Sequence, residues 1–325
     1  TASNNTSIGL NALTSATTGG FNTALARQAL YSTTTGTYNT AVGSSALFTN
    51  TTGADNVAVG ADSLLNATTA SSNTAVGKDA LKANTTGTYN VAVGYQAGLA
   101  ITTGSEHTHI GYQAGKSITT ADSSTIIGYA AGSSLTTGAD NTFIGEEAGF
   151  YVTTGADNTY VGANAGPNGS TSTGGNNTGV GAGALGANTT GSYNAAVGDA
   201  ALDANTTGQY NTAVGHGALT TSTTVNSNTA VGTSALSVNT AAGSTAVGAF
   251  AADSNTTGSE IVAVGIHALG ANTTGVRNVA VGKEALMANT TAQDNTALGA
   301  SALQDNISGS YNTGVGNYAL TNNTT

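Results

Sequence analysis

The sequence predicts an all-β fold, a parallel β-solenoid (β-roll) of about nineteen 17-residue coils with two short strands in each. Three observations predict it. The phrase Asn-Thr-Ala-Val-Gly, or a near copy, returns nineteen times, its glycine slot falling at Gly9, Ala26, Gly43, Gly60, Gly77 and onward to Gly316. Only two intervals depart from 17, Gly162 to Gly181 at 19 and Gly232 to Gly248 at 16. A fixed short period over a whole chain means one supersecondary unit stacked on copies of itself. The residue before the slot is Val, Ile or Leu every time, and Gly or a β-branched residue interrupts every window long enough for a helix. Finally, charged residues make up 7% of the chain and aromatics 5%. The core must therefore be thin and lined by small side chains.

Residues 37–53 illustrate one coil. Asn39-Thr40-Ala41-Val42 alternates strand-forming residues and reads as a short strand, with Val42 facing inward, and Gly43 then bends the chain. Ala46-Leu47 reads as the second strand, the small Ala46 implying close backbone approach. Asn50-Thr51-Thr52-Gly53 is the return turn. Coils about 4.8 Å apart would build a rod roughly 90 Å long. Equivalent residues then form ladders, and stacked Asn39-type and Asn50-type amides bond to the copies above and below. Asn39, Val42, Gly43, Ala46, Leu47, Asn50, Thr51 and Gly53 are the structural ladder of this reading.

The unbroken period makes the chain one repeat domain, 1–325, despite its length. Within it, 1–93 is the coil type with Ala-Leu and Asn-Thr-Thr-Gly, 94–166 a variant, 167–175 an irregular bulge holding the only proline, and 176–325 the first type again. In the variant coils Leu becomes Gly98, Gly115, Gly132 and Gly149, while the turn Asn becomes Ile101, Ile118, Leu135 and Val152. The Ala two before the slot enlarges to His109, Ile126, Phe143 and Tyr160. A packed coil needs constant volume, so these exchanges compensate one another. Alternatively, Tyr95, Tyr112, Tyr129, Phe143 and Tyr160 form a contact stripe.

At Asn39-Thr40-Ala41-Val42-Gly43 and its copies the chain resembles the head repeats of YadA-like trimeric autotransporter adhesins. It is also similar to the Asn-Thr-Ala-Val-Gly arrays of phage tail fibres and bacterial surface proteins. The resemblance covers the whole chain and implies a left-handed parallel β-roll, association of three chains, and a place outside the cell or on a virion. The period here is longer than in those adhesin heads, and no stalk heptads, membrane anchor or chaperone tail accompany it.

Chemistry-bearing patterns are sparse. With 6 Lys and Arg against 16 Asp and Glu the net charge is -10, which argues against nucleic acid as a partner. No apolar run is long enough to insert in a membrane, and no signal segment opens the chain, which starts at Thr1 without methionine. Cysteine is absent. His107 and His109 share a strand face and are the only metal candidates, on the ground that three chains would surround one ion with such a pair. Asp140 and Asp157 stack in neighbouring coils, and Glu146 and Glu147 sit on one strand pointing apart. No nucleophile, base and orienting group recur together, and no phosphate-loop lysine follows a Gly-rich stretch, so no catalytic residue and no cofactor are expected. Asn50, Asn84, Asn205 and Asn272 match the glycosylation acceptor pattern, though the turn ladder explains them.

The functional expectation is a non-enzymatic structural fibre or filament protein, extracellular, cell-surface or virion-borne, serving as a rigid shaft in adhesion or host attachment. Its partners are other copies of itself, as a homotrimer or a head-to-tail polymer, and a host-surface glycan or protein. Thr1 and Thr325 share a repeat phase, so the segment is either an excerpt of a longer fibre or a subunit stacking end to end. Ice binding is an alternative, resting on Thr pairs such as Thr51 and Thr52, although adjacent residues alternate faces and a two-column Thr-x-Thr array is not expected. A carbohydrate-active enzyme is a third reading, opposed by the scatter of carboxylates.

Overall fold

The computed structural model describes residues 2–324; the shared phase of Thr1 and Thr325 lies outside them. The chain divides into two compact units, Thr1–Asn158 and Thr159–Thr325. The first carries β1 (Thr6–Ile8), β2 (Thr23–Leu25), β3 (Thr40–Val42), β4 (Val57–Val59), β5 (Thr74–Val76), β6 (Val91–Val93), β7 (Thr108–Ile110), β8 (Thr125–Ile127) and β9 (Thr142–Ile144). The second carries β10 (Thr159–Val161), β11 (Thr178–Val180), β12 (Ala195–Val197), β13 (Thr212–Val214), β14 (Thr229–Val231), β15 (Thr245–Val247), β16 (Val262–Val264), β17 (Val279–Val281), β18 (Thr296–Leu298) and β19 (Thr313–Val315). Within each unit successive strands pair in parallel, residue for residue. No helix occurs among the described residues. The protein is an all-β parallel β-solenoid with a coil of about 17 residues.

Each coil holds one strand, not two. The Ala-Leu stretch is a run of turns because its backbone alternates into the left-handed region, Ser45 at φ 58° and Leu47 at φ 51°, whereas strand backbone needs φ near -120°. The alternation still aims backbone groups along the stack. Ser45 N–H donates to the Arg27 carbonyl one coil back, and Leu47 N–H to the Ser63 carbonyl one coil on, each at 3.0 Å. Left-handed leucine is costly, and these inter-coil bonds together with complete burial of Leu47 offset the cost.

The strand register also differs from expectation. The inward residue of the strand is the alanine two before the slot: Ala41, Ala58, Ala75 and Ala92 are fully buried. Val42 lies on the outer face with Thr40, both half-buried. With a core this thin only a methyl fits between the strand and the Ala46-Leu47 corner. The larger aliphatic residue must then point out, since side chains alternate along a strand. At the slot, Gly43 has φ +143°, and a Cβ there would meet the Gly60 carbonyl oxygen at 2.5 Å. That close axial approach of backbones demands glycine.

One insertion and one deletion in the second unit leave the register intact. The strands at Thr159 and Thr178 pair in register although 19 residues separate them; of the expected bulge at 167–175, residues 168–171 are exposed, while Pro167, Ser172 and Gly174 are buried. The 16-residue coil likewise keeps Thr229 opposite Thr245.

Buried amides tie successive coils together. Asn39 Oδ1 accepts from both the backbone N–H and the Nδ2 of Asn56, at 3.1 and 3.0 Å, and Asn56 Nδ2 also donates to the Ala70 carbonyl at 2.8 Å. Asn56 does the same for Asn73. Replacing Asn56 with Ala strips partners from the Asn73 N–H and the Ala70 carbonyl, both in the closed interior. The expected cost is about 2–5 kcal/mol, read as a lower urea midpoint, whereas Thr52→Ala on the exposed turn leaves the midpoint unchanged.

Candidate functional site: the variant coils and the histidine pair

The variant coils of the first unit concentrate the residues singled out by sequence. Ile101, Ile118, Leu135 and Val152 are fully buried where other coils place Asn50-type amides. The glycines that replace leucine make room for what enters from the strand. A Cβ on Gly98 would meet His109 Nδ1 at 3.1 Å and Leu81 Cδ2 at 3.0 Å, and one on Gly149 would meet the Phe143 ring at 2.7 Å. Volume leaves one corner of the coil and enters at another, as expected. The proposed contact stripe therefore divides. Phe143, and Tyr160 in the second unit, are fully buried core residues, whereas Tyr95, Tyr112 and Tyr129 are exposed and stacked, with centroids 5.4 and 5.1 Å apart. Alongside them Gln113 Nε2 donates to Gln96 Oε1 at 2.9 Å. Burial raises the Tyr160 phenol pKa, and side-chain bonds to Asn177 and Asn188 partly oppose the rise.

His107 takes the place of the ladder asparagine that precedes most strands, and it reproduces both of its bonds. Its Nδ1 accepts from Ser124 N–H at 3.2 Å, 17 residues on, and Nε2–H donates to the Ala121 carbonyl at 2.7 Å, 14 residues on. Asn39 Oδ1 and Nδ2 serve the same two offsets. The ring is thereby fixed as the neutral Nε2–H tautomer. His109, on β7, is fully buried against it with ring centroids 4.8 Å apart, and neither of its nitrogens has a hydrogen-bond partner.

This placement overturns the metal reading. Both rings point into the core of their own chain, so they cannot converge with those of neighbouring copies on one ion. His107 has no lone pair left over. No group of three metal-binding side chains occurs among the described residues. Asp140 and Asp157 are exposed, and Glu146 and Glu147 lie in a turn after β9 rather than on a strand. The glycosylation-pattern residues Asn50, Asn84, Asn205 and Asn272 are fully buried, which leaves the ladder as their role.

Of the other ladder residues, Ala46 and Leu47 are buried, Gly53 closes on Asn50 Nδ2 at 3.2 Å, and Thr51 Oγ1 donates to the Thr68 carbonyl at 3.0 Å. In the second unit an open groove of about 400 Å³ is lined by Asp253, His267 and Met287 among others. Burial raises the Asp253 carboxyl pKa, but no hydrogen bond or ion pair joins it to His267 among the described residues. Sequence reading missed this groove; Asp253 and His267 are 14 residues apart and fall on different positions of successive repeats. The chain matches no protein-family model and no curated protein sequence.

Two tests follow from this packing. Gly149→Leu drives a side chain into the Phe143 ring and destabilises the first unit, and Phe143→Ala alone opens a cavity worth about 3–5 kcal/mol. The double variant restores the Ala and Leu of the common coil, with Val152 still in place of the turn asparagine, so its loss falls below the sum of the singles in a denaturation cycle. The second test concerns pH. Burial holds the imidazole of His109 well below its ordinary pKa of 6.5, and that of His107 below it as well. Below that ordinary value the unfolded chain takes up protons that the folded core refuses. Stability is thus full above about pH 6.5 and declines as pH falls through the window beneath it. His109→Ile, matching Ile126 in the next coil, flattens most of that decline in urea midpoints measured at about pH 7.5 and 5.5.

Proposed function

We propose that the chain is a rigid, non-enzymatic shaft segment of an extracellular or virion-surface fibre that serves adhesion or host attachment. The observation that carries this reading is the axial bonding: each coil delivers its strand, its turn threonine and its buried amide to the next coil in one register. A structure stabilised by nearest-neighbour coils resists bending and extends by repetition, which suits a spacer. The acidic, charge-poor composition and the resemblance to adhesin heads and tail fibres support a place outside the cell. Exposed tyrosines on a stacked ladder, Tyr95, Tyr112 and Tyr129, support contact with a host-surface glycan or protein.

The other partner in this reading is a further copy of the chain. Exposed aromatics at one repeat position, the stacked Phe21 and Tyr38 in the first unit and Tyr193 and Tyr210 in the second, are side-chain types favoured at interfaces. Electron microscopy of the purified chain is expected to show straight rods of uniform width, and compact or flexibly bent particles would overturn the shaft. Sedimentation over a range of concentrations is expected to give a trimer or longer assembly. A monomer throughout removes the self-partner and leaves the shaft standing.

A further inference from the structure

Asparagine is the chemically labile residue of this chain, and the fold restrains it in two ways. Its side-chain amide is lost when the backbone nitrogen of the following residue attacks Cγ, so the amide must swing freely and that nitrogen must be unbonded. Neither condition holds in the ladders. Asn39 Oδ1 accepts from Asn56 and its Nδ2 donates to the Gly53 carbonyl at 2.8 Å, which fixes the amide at both ends. The next nitrogen, of the β-branched Thr40, donates to the Asn56 carbonyl at 2.8 Å. The turn ladder repeats the arrangement, Thr51 N–H donating to the Thr68 carbonyl at 2.9 Å. Exposed asparagines keep at least the second restraint at Asn66 and Asn317, where Ala67 N–H and Tyr318 N–H donate to the Leu64 and Ala300 carbonyls at 3.2 and 3.0 Å.

Asn168 escapes these restraints. It lies in the exposed stretch 168–171 of the lengthened coil, and it is the only asparagine in the sequence that glycine follows. Gly169 N–H has no hydrogen-bond partner among the described residues. No side chain crowds that nitrogen, and a Cβ built on Gly169 would meet nothing within 4 Å, so the approach to it is open. The bonds that Asn168 does make lie on its other side. Its own N–H donates to the Gly186 carbonyl at 2.6 Å, and its Nδ2 donates to Asn164 Oδ1 at 3.1 Å on the surface. Neither bond engages the Gly169 nitrogen.

We propose that Asn168-Gly169 is a spontaneous modification site, where Asn168 converts through a succinimide to isoaspartate and aspartate while the ladder asparagines stay intact. The Gly169 nitrogen attacks Asn168 Cγ and closes the imide ring. The side chain's own C–N bond breaks, and its nitrogen leaves as ammonia, taking up the proton that the Gly169 nitrogen gives away. Water then opens the ring, its hydroxyl going to a carbonyl carbon and its proton to the ring nitrogen. Scission on the Cγ side leaves aspartate; scission on the α side leaves isoaspartate, with the main chain rerouted through the former side chain. Either product adds one negative charge to a chain of net charge -10. The register of Thr159 with Thr178 does not run through the exposed stretch, so the stack is unaffected. A ladder asparagine reacts only after local opening has broken its bonds to neighbouring coils, which keeps the reaction at one place.

The test ages the full chain without denaturant at mildly alkaline and mildly acidic pH, then maps its digest by mass spectrometry. Enzymatic methyl transfer to the free carboxyl of isoaspartate reads that product independently. The peptide holding Asn168 is expected to convert first, into two products, and faster at the alkaline pH, which favours loss of the attacking nitrogen's proton. Anion exchange of the whole protein is expected to show a species one charge more acidic. Asn168→Gln is expected to lose both signals, and Asn168→Asp to elute with the aged protein from the start. Peptides holding Asn39 and Asn50 are expected to stay unconverted until urea unfolds the chain, and the aged protein to keep the urea midpoint of the fresh one. Survival of Asn168 under conditions that convert a free peptide of the same sequence overturns the proposal. So does conversion of a ladder asparagine as fast as Asn168 in the folded chain, or a midpoint that falls as Asn168 converts.

Discussion

The structure depends first on a hydrogen bond that recurs at a fixed axial step in most coils, the ladder position being Ser124 and the apolar Ile261 in two of the exceptions. A side-chain oxygen at Asn39 accepts from the backbone of Asn56, whose own side chain serves Asn73, so each coil completes its polar accounting only through the coil beside it. Buried amides left unpaired in so small an interior would each cost a few kcal/mol, so the ladder and the 17-residue period enforce one another. The substitution at His107 measures how strict the constraint is. A ring of different size is accepted there because its two nitrogens present an acceptor and a donor at the same two offsets.

The second constraint is volume. The interior of a coil is little wider than two side chains, so a bulky residue entering from the strand must be met by glycine at the opposite corner. Phe143 facing Gly149 and His109 facing Gly115 are two cases of one rule. The polar and the volume constraints collide at His109. Its size is accommodated, but neither nitrogen finds a partner, and burial therefore keeps the ring neutral. The first unit thus carries a local weak point at His109, with Asn50 Oδ1 and Ser124 Oγ also buried there without a partner.

The period, the parallel in-register sheet, the amide ladders and the compensating exchange at Gly98 and Ile101 were all legible in the sequence, because each is a statement about spacing. Facing was not. Val42 is the more hydrophobic member of its strand, and hydrophobicity points it inward, yet room for only a methyl decides in favour of Ala41. The turn at Ala46-Leu47 was equally hidden, since leucine has no intrinsic preference for the left-handed backbone it adopts there. The same limit governs Phe143 and Tyr160. In sequence they read as volume compensated by the opposing glycines or, alternatively, as part of a contact stripe, and their burial decides for the first.

Once facing is settled, the meaning of the repeated phrase changes. Asn and Ala in Asn-Thr-Ala-Val-Gly serve the interior, and Gly serves the close axial approach, which accounts for three of its five residues by stability alone. Thr and Val serve neither. They share the outer side of the strand, where β-propensity favours them but would equally accept tyrosine or a lysine-threonine mixture, as edge-exposed strands commonly show. Their confinement to uncharged, β-branched or aliphatic types in every strand therefore asks for a cause outside the coil. Because the restriction holds at every level of the stack, with Val57, Val91, Ala195, Val262 and Val279 standing in for threonine, its cause acts on the whole face, unlike a discrete ligand, which would need a few distinctive residues at one level.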